Sequence, residues 1–440
     1  MSIVDDSSRS LTPSTTALAA MANLNNLTTH SRGLSDNAVV LRMKCHIMAH
    51  SLRLDRLDTA KSREDRGRKG CNMIHIEIQR RVWWNLVGTD WLNGFSGERH
   101  DGMYFLQPKH MNVRFPINME DDDMTPDMAD TDVPLSVPTM MTGFIYRIKI
   151  AELCREVVDA LPSQFQDTEE PDYNIIMQMD RKFRSFAEDL PVFFRLDTES
   201  IEKSKHICKE KPVIAQHRVA LHFSIHGRLC RLHRPYHLEG LTNPKYAYSR
   251  KSCVSDAQRV LDLRRKLDEA CVSTGMQPAR SWVTMQHVSI AALILATDVS
   301  FNPSAPNAAD MKAKVLATYG LLERSIEESG TVMDGVQRNM QALTSTLQSK
   351  RGQDDNQSQH PTGDGPSAFP STSDATMIDV DEHESGVAGL RSGGHLPSFV
   401  DDLQDDQTNW DELWKDFVDI APEMDMSHWD LLLEDIDTRI

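Results

Sequence analysis

The sequence predicts an all-α protein: an irregular multi-helix bundle or α-solenoid-like domain, followed by a disordered linker and an acidic C-terminal tail. Three observations carry this. Apolar residues recur at three- and four-residue spacing in segment after segment up to residue 348. No stretch shows the sustained period-two alternation of a strand. Beyond residue 350, Gln, Ser, Asp, Gly and Pro dominate with few aromatics, a composition that cannot build a core. The expected organisation is a disordered N-terminus over residues 1–36, a helical domain over 37–349, a linker over 350–399 and an acidic-aromatic segment over 400–440. No fixed-period repeat marks the helical part, so a packed bundle with irregular connections is expected.

A chain of 440 residues and 49.8 kDa can bury at least one substantial core. Its net charge of −17 argues against a surface that wraps nucleic acid over most of its area. The charge is unevenly spread. Residues 31–81 carry twelve Lys/Arg against six Asp/Glu, whereas residues 400–440 carry fourteen acids against two bases. No run approaches the roughly 20 consecutive apolar residues of a membrane span, and the polar N-terminus has no signal-peptide core, so no membrane partner is expected. The seven cysteines are dispersed singly, as suits reduced thiols packed as small apolar groups.

In chain order, residues 37–56 read as a helix with Val40, Met43, Ile47 and Leu54 on one face. Residues 61–69, Lys-Ser-Arg-Glu-Asp-Arg-Gly-Arg-Lys, read as a solvated charged loop. The helix from Met73 should organise the domain. Ile74, Ile78, Val82, Trp83 and Leu86 share its apolar spacing, and two adjacent tryptophans require depth. Asp90 becomes a candidate buried carboxylate, with Arg80 and Arg81 as candidate partners. Residues 102–123 then read as a long extended loop punctuated by Pro108 and Pro116. Further helices are expected over 139–161, 173–190, 212–234, 249–270 and 280–297, the last apolar nearly all round and therefore central. Residues 311–329 and 331–348 should form a closing antiparallel pair about Gly330.

The tail contains a near-repeat, Thr408-Asn-Trp-Asp-Glu-Leu-Trp414 and Ser427-His-Trp-Asp-Leu-Leu-Leu433. Trp410, Leu413, Trp414 and Phe417 fall at i, i+3, i+4 and i+7, as do Trp429, Leu432, Leu433 and Ile436. Each segment presents an aromatic-aliphatic stripe with acids behind it. Isolated helices this short are marginal in water and suited to ordering in a partner's groove.

Arg80-Arg81-Val-Trp83-Trp84, an Asp near a turn later, and a loop ending in Pro116-x-Asn118-x-x-Asp121-Asp122 resemble the middle homology region of fungal-specific transcription factors. A second block, Leu232-His233-Arg234-Pro235-Tyr236, follows in family order. The resemblance covers roughly residues 37–348 and implies nuclear transcription regulation, often of a pathway or a secondary-metabolite gene cluster. It also implies pairing with a second copy or with a complete family member. The family's zinc cluster begins Cys-x-x-Cys, and no two cysteines here are three apart, so direct DNA binding is left open.

Other chemistry is weakly represented. His222, His226, Cys230 and His233 recur along one helix, but they span roughly 16 Å at 1.5 Å rise per residue, too far for one ion. No metal or cofactor is expected. The acidic run Glu120-Asp-Asp-Asp123 reads as a solvated turn that caps the next helix. No phosphate-cradling loop, nucleophile elbow or zinc-protease motif occurs, so an enzyme is not expected. The alternative from that class is a small-molecule-binding enzyme whose pocket is lined by Asp90, Arg81 and the Trp pair.

Overall fold

The computed structural model describes residues 13–33, 35–96, 102–130, 133–161, 172–272, 281–302 and 304–329. Among these residues every regular element is helical and no strand occurs. The α-helices are α1 Thr15–Arg32, α2 Asp36–Ser51, α3 Ala60–Lys69, α4 Met73–Asn93, α5 Met140–Ala160 and α6 Tyr173–Glu188. They continue as α7 Thr198–Lys203, α8 Lys205–Glu210, α9 Pro212–His233, α10 Ala247–Cys271, α11 Trp282–Phe301 and α12 Ala308–Ser329.

Local chemistry sets most starts. Ser14, Ser35, Thr59, Asn72, Thr139, Asp172, Asp197 and Ser281 each accept a backbone N–H from the first turn of the helix they precede, satisfying a donor that has no intrahelical partner. At Thr139 the bond is reciprocated by Thr142, whose hydroxyl takes the Thr139 N–H at 2.8 Å. Pro212 opens α9, where a missing N–H costs nothing. Pro235 follows directly on the end of that helix.

Helix α4 runs through the core, with Trp83, Trp84 and Trp91 at 1%, 3% and 1% exposure. It packs against α1, α2 and α5; α9 packs in turn on α5, α6, α10 and α11. Helix α11 is long and apolar enough to cross a membrane by length and composition, but 83% of its apolar window is buried against its neighbours, as in a core helix.

Several expectations are corrected. The N-terminal stretch read as disordered carries α1, because Leu18, Met21, Ala22, Asn25 and Thr29 form one buried face beneath a Ser/Thr/Asn-rich composition. The charged segment read as a loop is α3, which buries nothing; Thr59 caps it and Arg66 ties it to Asp58 at 2.9 Å. In α2 the buried face is Ala38, Leu41, Cys45, Met48 and Ala49, while Val40 and Ile47 point outward. In α4 the buried face is Ile76, Glu77, Arg80, Trp83, Trp84, Val87 and Trp91, with Ile78 exposed. In both helices charged side chains sit inside, so hydrophobicity alone selects the wrong stripe. The sequence reading also lacks the short helices α7 and α8. Helix α12 forms as expected, and its intended partner over 331–348 lies outside the described residues.

Trp84 stacks on Phe115 at 4.5 Å between ring centroids, and its indole N–H donates to the Arg114 carbonyl at 2.7 Å. Trp84→Ala removes a buried aromatic and orphans that carbonyl, so thermal or urea unfolding of the full chain should show a loss of about 3–5 kcal/mol. An unchanged unfolding midpoint would remove α4 from the centre of the fold.

Candidate functional site

The motif residues converge on the loop after α4. Arg80, fully buried, forks onto two carboxylates that lie 22 and 50 residues away in sequence. Its Nε and Nη2 donate to Asp58 at 2.9 and 2.7 Å, and its Nη1 and Nη2 donate to Asp130 at 2.8 and 2.9 Å. Asp58 also accepts from Arg66 and from the Arg114 backbone N–H, both at 2.9 Å. Burial alone raises the Asp58 carboxyl, but these donors and the two guanidinium charges outweigh it and hold the group below the usual carboxylate range. Arg81 donates to Glu77 at 3.0 Å and to Asp121 at 2.5 Å. Glu77 Oε1 also takes the Ile117 N–H at 3.0 Å.

Asp90 is buried as expected, but Arg80 and Arg81 are not its partners. Its Oδ2 accepts the backbone N–H groups of Phe105 and Leu106, both at 2.8 Å. Burial pushes its carboxyl up to about 6, against those amides and the charge of Arg42. The Trp91 indole donates to the Leu106 carbonyl at 2.8 Å. Further along the loop, Asn118 uses its whole amide. Its Nδ2 donates to the Pro134 and Val137 carbonyls at 3.0 and 2.8 Å, and its Oδ1 accepts from Thr139 and Thr142 at 2.6 and 2.7 Å. Pro116 is buried beside it, and Asp122 is exposed in the short 3-10 turn Asp121–Asp123. Glu120 accepts the Met140 N–H at 3.1 Å, so the acidic run does meet the start of α5.

The second motif block forms a separate node. His233 lies between Asp180 and the Ser249 hydroxyl, both at 2.9 Å, and Tyr248 donates to Asp180 at 2.7 Å. Arg184 bridges Asp180 and Asp256 at 2.9 and 3.0 Å. Arg234 is buried at the end of α9 and Pro235 is exposed. The histidine stripe is divided among protein partners: His222 with the Phe194 carbonyl at 3.0 Å, His226 with Asp256 at 2.8 Å, and Cys230 against Cys253. Among the described residues no group of three or more His, Cys, Asp and Glu is placed to hold a metal.

The alternative pocket lined by Asp90, Arg81 and the Trp pair is corrected. Those groups hold the loop. A cavity of about 410 Å³ does adjoin α4, but along Thr89, Leu92 and Asn93 and with none of the four in its lining. Asp58, Asp130, Asp180 and Asp256 are the structural partners that the sequence reading missed. Glu77, one helical turn before Arg80 and Arg81, and Asp180, one turn before Arg184, left a local signal. Trp410, Leu413, Trp414, Phe417, Trp429, Leu432, Leu433 and Ile436 lie outside the described residues.

Among the described residues the motif side chains serve as loop clamps on an all-α scaffold. Comparison with known proteins supplies the class. The probable transcription factor lepB of Aspergillus flavus is 29% identical over 451 aligned residues, covering 100% of this chain and 76% of the relative. The agnestins biosynthesis cluster transcription factor AgnL11 of Paecilomyces divaricatus is 31% identical, covering 69% of this chain and 43% of the relative. The Zn(2)-C6 fungal-type transcription factor mpsB of Macrophomina phaseolina is 26% identical over 48% of this chain and 27% of its own length. No family model matches, and no solved structure matches. The chain is a relative of fungal transcription factors, and it stands with transcription regulators rather than with enzymes.

Buried titratable groups give the domain a defined acid response. Burial lowers His46 and His222 to about 4 and His287 to about 3. Unfolded histidines titrate near 6.5, so below that pH the unfolded chain binds protons that the folded chain refuses. Asp90, at about 6 when folded, works in the opposite direction, as do Glu77 and Glu152, which burial raises; His30 and His217, which burial lowers, join the histidines, so the lowered group is the larger. Asp58 and Asp180, held below the carboxylate range, add loss only below about pH 4. Folding stability should therefore fall from pH 7 toward pH 4, by roughly 1.4 kcal/mol per unit for each excess proton. Urea titrations at fixed pH check this, and a midpoint that holds or rises between pH 7 and 5 contradicts it.

Proposed function

We propose that this chain activates transcription of a fungal pathway, specifically a secondary-metabolite gene cluster, from the nucleus. The helical domain is the regulatory body, residues 350–399 are a tether, and residues 400–440 contact coactivators. Support for the pathway comes from AgnL11, a relative named for a biosynthesis cluster. Pairing with a complete family member would supply DNA contacts that this sequence does not itself encode as a six-cysteine cluster.

The tail is the observation that carries the activation reading. Two short segments each bear a Trp-Leu-apolar stripe that can be buried only against another surface. The tail's net charge of −12, from two bases and fourteen acids, keeps it solvated and steers it toward basic partners. Affinity should reside in the apolar anchors, because rim charges contribute little beside buried aromatics.

Residues 400–440 fused to an unrelated DNA-binding domain should activate a reporter. Replacing Trp410, Trp414 and Phe417 together by Ala should remove most of that activity. Replacing Asp411 and Asp419 by Asn should reduce it only in part. An aromatic triple variant as active as the parent contradicts the reading. A silent tail whose deletion raises the activity of the full protein would favour docking on the helical domain instead.

A further inference from the structure

The cavity beside α4 is bounded by α1, α4, α5, α9 and the start of α11, and its lining has an unusual charge balance. Among the described residues no Asp or Glu lines it, whereas Arg147, Arg228, His30, His217 and His287 do. Among the described residues Arg147 donates only to the Thr89 hydroxyl, at 3.2 Å. Arg228, 5% exposed, donates to the neutral ring of His287 at 2.8 Å and weakly to the Leu92 carbonyl at 3.4 Å. Among the described residues neither guanidinium is in an ion pair, although elsewhere buried arginines such as Arg80 take carboxylates. A buried and a half-buried cation in one cavity, with no anion among the described residues, is a costly arrangement. Burial first, and then the charge of Arg228, lowers Arg147 to about 10.

Further polar nitrogens are left over in the same space. Arg228 Nε, Asn93 Nδ2 and His217 Nδ1 are buried polar nitrogens with no hydrogen-bond partner. The arrangement is built into the helices. A Cβ at Gly143 of α5 would stand 2.2 Å from the His217 ring, so only glycine lets that ring lie there. Gly227 of α9 gives His287 similar room, with a Cβ contact of 3.1 Å. Phe144, Leu221 and Phe223 supply apolar wall. A volume of about 410 Å³ is in the range of small-molecule sites.

We propose that this cavity binds a small organic anion, its carboxylate held by Arg147 and Arg228 and its apolar body against the Phe and Leu wall. Guanidinium forks match a planar carboxylate, and the leftover Asn93 amide nitrogen is a donor of the kind such a group needs. The ligand is an effector of the regulatory domain, and occupancy links α4, α5 and α9 through one charge.

Fluorescence titration of the full chain in phosphate-free buffer tests this, using anilinonaphthalenesulfonate as the anionic probe and N-phenylnaphthylamine as its uncharged counterpart. The native chain should bind one anionic probe per molecule and prefer it by about tenfold or more, equal to about 1.4 kcal/mol. Benzoate should displace it, and inorganic phosphate at the same concentration should not. Arg147→Met and Arg228→Met should each abolish the preference while leaving the neutral probe's affinity unchanged. If Arg228→Met fails to fold, the half-buried Arg147→Met decides alone. Equal affinity for the two probes, or a preference unchanged in Arg147→Met, overturns the proposal; displacement by phosphate but not benzoate overturns the organic part of it.

Discussion

The bidentate hold of Arg80 on Asp58 and Asp130 is the constraint on which the rest of the domain depends. One guanidinium on α4 pins the connector before α3 and the distal end of the long loop. A buried ion pair adds little net stability over an apolar equivalent, since desolvation offsets attraction. Losing one member is another matter, because it strands a charge at about 3–5 kcal/mol. The network therefore enforces one arrangement of α2, α4 and the loop, where tryptophan packing alone would tolerate slippage. Asp90, Trp84, Trp91 and Asn118 repeat the device with backbone groups, giving an irregular segment the hydrogen bonds that a helix would have supplied internally.

Much of this was legible in the sequence, and the misses share a cause. The all-α class, the depth of the Trp helix and the burial of Asp90 follow from spacing and side-chain size, which are local properties. The partners of Asp90 and Arg80 are not local: they come from 15 to 50 residues away and are visible only once the loop is folded back. The same blindness put the wrong face of α2 inside and joined exposed Ile78 to buried Trp83 and Leu86 on α4, since Arg42, Glu77 and Arg80 are buried where an apolar stripe would exclude them. Helix α1 escaped for the opposite reason, its Leu18–Met21–Ala22 face being masked by polar neighbours.

The two sides of α4 do different work. One side, through Arg80, Glu77 and Asp90, holds the loop; the other, through Thr89, Leu92 and Asn93, borders the cavity. Arg228 of α9 touches the Leu92 carbonyl, and Arg147 of α5 touches Thr89, so both cavity cations rest directly on the organising helix. A rigid helix carrying a clamp on one side and a ligand-facing wall on the other suits a domain that must register an effector without losing its fold. It also explains why the motif residues form no reactive centre. Each carboxylate near α4 is already committed to a guanidinium or a backbone amide.

The central functional claim is that the chain controls transcription of a gene cluster, and genome-wide transcript profiling after deletion of its gene tests that most directly. The account predicts that the transcripts of one contiguous set of biosynthetic genes fall sharply and recover when the full chain is restored, but not when residues 400–440 are omitted. A transcript profile indistinguishable from that of the parent strain would contradict it.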